Sequence, residues 1–149
     1  MAKVLVTGHA GYIGAVMTPM LRAAGHDVVG LDTDYYRRCD FIAGPPAVPA
    51  LAKDVRDIQP ADLQGFDAVI HLAALSNDPL GDLNPDLTYD INFRSSVHLA
   101  EVAKAAGVSR YLFASSCSLY GAAGDDMLTE ESAFNPVTPE NVTLFKALL

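Results

Sequence analysis

The sequence predicts an α/β fold, a three-layer Rossmann fold whose parallel sheet has about five strands in the order 3-2-1-4-5. Three observations lead to this prediction. Short apolar segments alternate with helix-like segments along the chain. These apolar segments are continuous, which is typical of parallel strands that are covered on both faces. A glycine-rich turn joins the first predicted strand to the first predicted helix, which is the context of a nucleotide-binding turn.

The first strand–turn–helix unit predicts a site for a dinucleotide. A strand is predicted at residues 3–7, a G-x-x-G-x-x-G turn follows it, and a helix is predicted at residues 15–24. The N-terminus of a helix presents unpaired N–H groups and a partial positive charge, which suit a pyrophosphate. Gly8 permits a sharp turn, Gly11 lets phosphates approach the main chain, and Gly14 lets the helix pack closely on the strand. The spacing differs from G-x-G-x-x-G, and a glycine-rich turn without a ligand remains an alternative.

The second predicted strand, residues 27–32, ends in an acid about twenty residues beyond the turn. At this position a carboxylate accepts hydrogen bonds from ribose hydroxyls and repels a 2′-phosphate. Asp32 therefore favours NAD over NADP as the cofactor. Arg37 and Arg38 follow closely and weaken this preference if they reach the site, but we interpret them as part of a solvated loop.

Length, composition and charge limit the class of protein. The chain has 149 residues, half of them hydrophobic, which predicts one domain with a sizeable core. Its net charge is −8, which argues against nucleic acid as the main partner. There is neither a long apolar run nor a signal-peptide pattern, so we expect a cytoplasmic protein with no membrane partner. Cys39 and Cys117 form no C-x-x-C pair and are expected to be reduced, with Cys117 buried and structural.

The rest of the chain continues the alternation of strands and helices. The segments predicted after the second strand are an irregular stretch, a short strand, a short helix, a strand, a long helix and a strand, at residues 33–49, 51–55, 58–63, 66–72, 87–106 and 110–115. The fourth strand ends at His71, which we interpret as a buried histidine bonded to the backbone because no acid or nucleophile neighbours it in sequence. Asn92 lies inside the long helix, where asparagine is unfavourable, and this suggests that it bridges helix and strand backbone.

Seven motifs occur in a definite order between residue 3 and about residue 139. They are TGHAGYIG at 7–14, Asp32, DV at 54–55, HLAA at 71–74, Asn92, SSCSLYG at 115–121 and NPVTP at 135–139. Together they resemble the NAD-dependent epimerase/dehydratase family, the extended branch of the short-chain dehydrogenase/reductases. The resemblance implies a nucleotide-activated sugar as substrate and a tightly held NAD that accepts hydride transiently.

The resemblance also implies which residues meet the cofactor. Asp54 and Val55 would meet the adenine, although a capping role for Asp54 is equally consistent with its position. Leu72, Ala73 and Ala74 would line the ribose and nicotinamide side. The complete predicted cofactor set is Gly8, Gly11, Tyr12, Ile13, Gly14, Asp32, Asp54, Val55, Leu72, Ala73, Ala74, Asn92 and Ser115, and no metal site is predicted.

Ser116 is the one candidate catalytic residue. Members of the family place a Ser or Thr four residues before a Tyr-Gly pair, where it hydrogen-bonds the sugar hydroxyl that is oxidised, and the pair here begins at Tyr120. A serine that only bonds backbone at a strand end is an alternative. Dehydratases of the family carry acids directly after this serine, whereas this chain has Cys117 and Ser118. The sequence therefore favours an epimerase or a simple oxidoreductase.

The resemblance ends at the catalytic base. The family uses a Tyr followed four residues later by a Lys, whose charge lowers the pKa of the Tyr. Here Glu140 and Leu144 occupy these positions, and Lys146 would lie on another face of a helix. Catalysis by this chain is therefore doubtful, and a non-catalytic dinucleotide-binding or interaction module is the alternative. A third interpretation is a folded remnant that binds no ligand.

The family's chains are about twice as long, and the part without a counterpart here supplies most of the sugar-nucleotide pocket. We therefore expect residues 1–149 to form an NAD-binding domain that is truncated relative to the family, with an atypical tail at 140–149. A truncated relative, a module that lost catalysis and a foreign reading frame from Glu140 all fit this sequence. Residues 142–149 are strongly apolar, so a homo-oligomer or a tail-exchanged dimer is expected.

Overall fold

The computed structural model describes residues 1–36, 48–76, 83–121 and 127–135, which form a parallel five-stranded sheet with helices on its faces. The strands are β1 (Lys3–Thr7), β2 (Asp27–Asp32), β3 (Ala50–Ala52), β4 (Ala68–His71) and β5 (Arg110–Phe113). Their order across the sheet is β3-β2-β1-β4-β5, and every neighbouring pair is parallel. The predicted fold class and strand order are therefore confirmed.

The central strand β1 carries apolar residues toward both faces of the sheet. Leu5 belongs to a core cluster with Val69 and with Leu99, whereas Val4 and Val6 belong to a second cluster on the other face. This division follows from the alternation of side chains along a strand. Because both faces of β1 are buried, its three central residues, Val4, Leu5 and Val6, are all apolar, as is typical of parallel strands.

The first helix, α1 (Tyr12–Ala23), packs on the second cluster and begins three residues earlier than predicted. Gly11 is its N-cap, with an extended backbone at φ −76° and ψ 176°, and its carbonyl accepts the first helical bond from the N–H of Ala15 at 2.9 Å. The helix therefore starts inside the glycine motif. Gly14 lies in its first turn and is buried, which brings the N-terminus of the helix close to the end of β1.

The long helix predicted at 87–106 is interrupted by a wider turn. It consists of α2 (Pro85–Tyr89), a π-helical turn (Asp90–Arg94) and α3 (Ser95–Ala105). The hydroxyls of Ser95 and Ser96 donate to the carbonyls of Ile91 and Asn92, four residues earlier. Such back-bonding bends helices, and a π turn accommodates one extra residue in the ladder.

Three strands and one short helix differ from their predicted limits, and one of these strands is the fourth, which is Ala68–His71 instead of 66–72. The third strand ends at Ala52 instead of 55, because Asp54 caps a 3₁₀ turn at Val55–Asp57 by accepting the N–H of Arg56 at 2.9 Å. The predicted helix at 58–63 is a second 3₁₀ turn, Pro60–Leu63. The last strand ends at Phe113 and a 3₁₀ turn follows at Cys117–Tyr120. Cys117 in that turn is exposed, so its predicted burial is wrong.

One apolar surface lies open on the α1 side of the sheet. We call it the α1 groove, and it is lined by Tyr12, Ile13, Val16, Met17, Met20, Leu21, Ala24 and Ile70. Met20 is 66% exposed, and Leu112 of β5, in register with Ile70 and therefore on the same face, is 50% exposed. Over β4 and β5 the described residues leave this face without a covering helix. Within the described ranges, every helix is too short or too polar to cross a bilayer.

Candidate functional site

A cleft of about 590 Å³ opens at the carboxyl ends of the central strands. It lies where the strand order reverses between β1 and β4, which is the position of ligand sites in open α/β sheets. Eleven of the thirteen predicted cofactor residues line it: Gly8, Gly11, Tyr12, Ile13, Gly14, Asp32, Asp54, Val55, Leu72, Ala73 and Ala74. Motifs that are distant in sequence thus meet in one cavity.

The glycine turn is packed so closely that side chains are excluded from it. A Cβ on Gly14 would lie 2.3 Å from the carbonyl oxygen of Gly8, and a Cβ on Gly8 would lie 2.9 Å from the backbone nitrogen of Ala73. Gly8 also has a φ of +70°, which side chains disfavour. Gly11 is exposed, and its added Cβ would be 3.2 Å from the same carbonyl. The first and third glycines are therefore required by packing, and the second leaves backbone open to the cleft.

Asp32 links the end of β2 to the glycine turn. One of its carboxylate oxygens accepts the N–H of Ala10 at 3.1 Å, and the other accepts the N–H of Asp34 at 3.0 Å. A carboxylate has about four lone-pair sites, so two such bonds leave acceptor capacity for a ligand. A Cβ on Gly30 would lie 2.3 Å from Cγ of His9, so the imidazole ring of His9 occupies the space beside this glycine. The acid is thus held at the wall of the cleft in a fixed orientation.

Asp54 is engaged by Arg56 through both carboxylate oxygens. Nε of Arg56 donates to one oxygen at 3.0 Å and Nη2 donates to the other at 2.7 Å, which is a bidentate pair. These hydrogen bonds lower the pKa of Asp54 below its usual value, against the opposing effect of burial. Nη1 of Arg56 also reaches Asp90 at 3.5 Å. The capping role considered for Asp54 is confirmed, and the residue also lines the cleft.

The loop after β4 is attached to the π turn by the side chain of Asn92. Asn92 of the π turn accepts the N–H of Leu75 and donates to the carbonyl of the same residue, both at 2.8 Å. The predicted bridge from helix to backbone is confirmed, and it reaches the loop after the strand. Asn92 does not itself line the cleft, whereas Leu75 does.

His71 at the end of β4 is buried and bonded to side chains. Its Nδ1 lies 2.6 Å from the hydroxyl of Thr7 and its Nε2 lies 2.9 Å from the hydroxyl of Ser96. The expected burial is confirmed, but the expected backbone partners are wrong because hydroxyls from β1 and α3 occupy both ring nitrogens. Burial lowers the pKa of His71 to about 4, so the ring is neutral near pH 7.

The two serines after β5 lie beside the cleft and not in its wall. Ala114 lines the cleft, whereas Ser115 and Ser116 do not, and both are exposed. The carbonyl of Ser116 accepts the N–H of Leu119 at 3.2 Å, which begins the 3₁₀ turn. Arg37, Arg38, Glu140, Leu144 and Lys146 lie outside the described residues.

Several residues of the cleft were not predicted. The additional lining residues are Ala10, Leu31, Thr33, Asp34, Tyr35, Tyr36, Lys53, Leu75, Ser76, Ile91 and Ala114. Tyr35 and Tyr36 are 71% and 62% exposed. Two adjacent aromatic residues shortly after Asp32 were a sequence signal that these side chains could line a ligand site. Ile91 had no such signal, because it reaches the cleft from a helix. The described part of the chain holds no group of three or more potential metal-ligating side chains.

Known proteins resemble this chain in sequence and in fold. Residues 4–142 match the sequence profile of the NAD dependent epimerase/dehydratase family. The UDP-glucose 4-epimerase of Streptomyces lividans is 34% identical over 143 residues, which is 92% of this chain and 43% of that protein. UDP-glucose 4-epimerase 4 of Oryza sativa subsp. japonica is 36% identical over 150 residues, covering 93% of this chain and 40% of its own length.

Two solved structures extend this likeness to the fold. MoeE5 in complex with UDP-glucose and NAD has a TM-score of 0.81 at 31% identity, over 98% of this chain and 46% of that one. A UDP-glucose-4-epimerase from Stenotrophomonas maltophila with bound NAD and formylated UDP-arabinopyranose has a TM-score of 0.83 at 28% identity. The match covers 98% of this chain and 46% of that one. The chain spans less than half the length of these relatives. Since the profile covers nearly all of the sequence, the chain belongs to the NAD dependent epimerase/dehydratase family.

Proposed function

We propose that the chain binds NAD in the cleft, as the nucleotide-binding domain of a nucleotide-sugar epimerase or oxidoreductase. The observation that carries this proposal is the glycine turn, in which Gly8 and Gly14 leave no room for a Cβ and the exposed Gly11 leaves backbone open. This turn adjoins the N-terminus of α1, where a pyrophosphate is favoured. When bound, NAD would supply a hydride acceptor, which in the family takes hydride from the carbon that carries a sugar hydroxyl and returns it.

Asp32 and Asp54 supply acceptors at one end of the cleft. Asp32 has remaining lone pairs toward ribose hydroxyls, and Asp54 toward an adenine amino group. On the proposed pose Val55 contacts the adenine and residues 72–74 contact the ribose and nicotinamide. Asn92 and Ser115 belong to the same proposed set, with Asn92 acting through the loop that it holds.

The proposal predicts a preference for NAD over NADP. A 2′-phosphate would be placed against the Asp32 carboxylate, which is already fixed by two backbone donors. Calorimetry should give an NAD dissociation constant in the micromolar range or tighter, with NADP much weaker, and Asp32→Ala should narrow the difference. Lys104→Ala is a suitable control, because Lys104 is exposed near the end of α3. Equal binding of both nucleotides by the unsubstituted chain would contradict the role of Asp32.

Catalysis by this chain is proposed to be absent. Glu140 and Leu144 stand where the family has its Tyr and Lys, so a sugar hydroxyl bonded to Ser116 has no base to take its proton. The pure protein should bind NAD yet convert UDP-glucose no faster than background. Steady conversion would show that another residue serves as the base. NAD binding without conversion supports the alternative of a non-catalytic dinucleotide-binding or interaction module.

We also propose an oligomeric state and a cellular location for the chain. The exposed α1 groove supports a homo-oligomer or a dimer in which residues 142–149 of each copy pack on the other, because exposed apolar patches mark interaction surfaces. A cytoplasmic location accords with the NAD-dependent reaction of the family.

A further inference from the structure

We propose that His71 and Ser96 are positioning residues for the cofactor loop, which we define as residues 72–75. The inference rests on the proposed NAD site, because Leu72, Ala73, Ala74 and Leu75 line the cleft. His71 and Ser96 are themselves buried and do not line it. They act through a chain of hydrogen bonds that leads from the π turn to the backbone N–H groups of the loop.

The direction of this chain follows from the number of protons available. The hydroxyl of Ser96 donates its one proton to the carbonyl of Asn92 at 2.7 Å. Toward His71 Nε2, 2.9 Å away, Ser96 can then only accept, so Nε2 carries the proton. The neutral ring therefore has an unprotonated Nδ1, which accepts the hydroxyl proton of Thr7 at 2.6 Å. Each hydroxyl and ring nitrogen thus has one assigned role.

The last step of the chain reaches the cofactor loop. Because the proton of Thr7 points to His71, its oxygen is left with lone pairs facing the loop. The N–H of Ala73 donates to this oxygen at 3.3 Å, and the N–H of Leu72 is shared between this oxygen, also at 3.3 Å, and the backbone carbonyl of Thr7 at 3.2 Å. The same stretch of backbone lies against the glycine turn, since a Cβ on Gly8 would be 2.9 Å from the nitrogen of Ala73. The position of the loop relative to the glycine turn therefore depends on which nitrogen of His71 is protonated.

Removing the acceptor at Ser96 should reverse this chain. In Ser96→Ala the Nε2–H would face an apolar methyl group, and the ring can recover a partner by moving its proton to Nδ1. Thr7 would then accept from His71, so the Nδ1–H of His71 would compete with the loop N–H groups for the lone pairs of the Thr7 hydroxyl. The expected results are a change of tautomer, faster amide exchange at Ala73, and about tenfold weaker NAD binding.

Ser95 provides the matched control. It is the adjacent serine on α3, it is buried, and it also donates to a carbonyl four residues earlier, that of Ile91, but no bond to His71 is described for it. Ser95→Ala should therefore lose a comparable hydrogen bond and leave the tautomer and the loop amides unchanged. Ser96→Thr keeps the hydroxyl and should restore the tautomer, the loop amides and NAD affinity.

The measurements separate this inference from the proposed function. Long-range ¹⁵N correlation spectra report the His71 tautomer, and hydrogen exchange reports the loop amides, both without NAD. Calorimetry reports affinity. If the unsubstituted chain binds no NAD, the proposed function fails, and the first two measurements still test the chain of hydrogen bonds. The inference is overturned if Ser96→Ala keeps the Nε2–H tautomer and normal exchange, or if Ser95→Ala has the same effects.

Discussion

Single residues decide how closely the glycine turn can approach its neighbours. Gly14 faces the carbonyl of Gly8 and the backbone of His9, and both neighbours are main chain that cannot rotate away. Gly25, by contrast, has a φ of +87° and open space around it, so it is needed only for its conformation. The two glycines therefore give a matched pair, in which one depends on packing at the cleft and the other on backbone strain far from it.

Gly14→Ala should weaken NAD binding by at least tenfold, because its Cβ would displace the turn that forms the phosphate site. Gly25→Ala should lower the free energy of unfolding by about 1 kcal/mol, through its positive φ, and leave NAD affinity unchanged. Calorimetry with NAD and urea unfolding of both variants measure the difference. Equal affinities for the two variants would show that the close contact at Gly14 has no bearing on the site.

His71 should make the free energy of unfolding depend on pH between about pH 6.5 and pH 4. Its pKa falls from 6.5 to about 4 on folding, so the unfolded chain binds the proton more readily. The contribution of neutral His71 is complete above about pH 6.5 and is lost as the pH falls toward 4, at up to ~1.4 kcal/mol per pH unit. Asp54 and Asp62 have pKa values lowered from 3.8, so their contributions are lost only below about pH 4.

Urea unfolding at pH 7, 5.5 and 4.5 measures this dependence, and an NMR titration of the His71 ring provides the control. The midpoint should fall with pH while the ring of the folded protein remains neutral. A titration of His71 near pH 6.5 in the folded state would contradict the argument.

Among the secondary-structure elements, the π turn contacts the cleft from the helical layer at several points. It places Asn92 on the cofactor loop, Asp90 beside Arg56, and Ile91 in the wall of the cleft. Its two bonds from Asn92 to Leu75 are both to backbone, and they fix the end of the loop. The turn therefore connects the helical layer to the site.

Two asparagines of this region can be compared directly. Asn84 caps α2 by accepting the N–H of Leu87 at 3.1 Å, so Asn84→Ala should cost about 1 kcal/mol of stability without changing NAD affinity. Asn92→Ala leaves the N–H and carbonyl of Leu75 without their partners, and should weaken both stability and NAD binding. Chemical unfolding and calorimetry on both variants distinguish the roles. Undiminished NAD affinity in Asn92→Ala would show that the bonds from the π turn to Leu75 have no effect on NAD binding.

Some secondary-structure elements could be predicted from the sequence and others could not. The five strands and their order were predictable, because apolar runs and the glycine turn are local signals. The π turn was not, because the contacts that accompany it include one between Asn92 and Leu75, which are 17 residues apart. Similarly, His71 was correctly predicted to be buried, but its partners Thr7 and Ser96 come from distant strands and helices. The early end of the third strand depends on Arg56, which gave Asp54 a partner that competes with the strand.

Considered as a whole, the molecule has unequal cover on the two faces of its sheet. The α3 face has a cluster that includes Leu5, Ile58, Leu63 and Leu99, none of them measurably exposed. On the other face the α1 groove remains open, and Val16 and Met20 are 58% and 66% exposed. An apolar partner for this face is expected, and the apolar segment 142–149 is the proposed one.

Deleting residues 142–149 should change the oligomeric state, and Met20→Glu should have the same effect, because it places a charge in the α1 groove. Val97→Glu is the control, since Val97 is an exposed apolar residue of α3, outside the groove. Light scattering at high concentration gives the mass of each protein. A monodisperse monomer whose mass and melting temperature are unchanged by the deletion would exclude this role for the tail.

The central position of β1 has a consequence for the order of events during synthesis. β1 leaves the ribosome before either of its partners: it pairs with β2 on one side and, much later in the chain, with β4 on the other, where Val4 meets Val28 and Ala68. Until residue 71 has been made, one edge of an apolar strand has no partner. Non-local parallel pairing is slow, and unpaired edges promote aggregation. The nascent chain therefore carries an aggregation-prone strand edge until its fourth strand emerges.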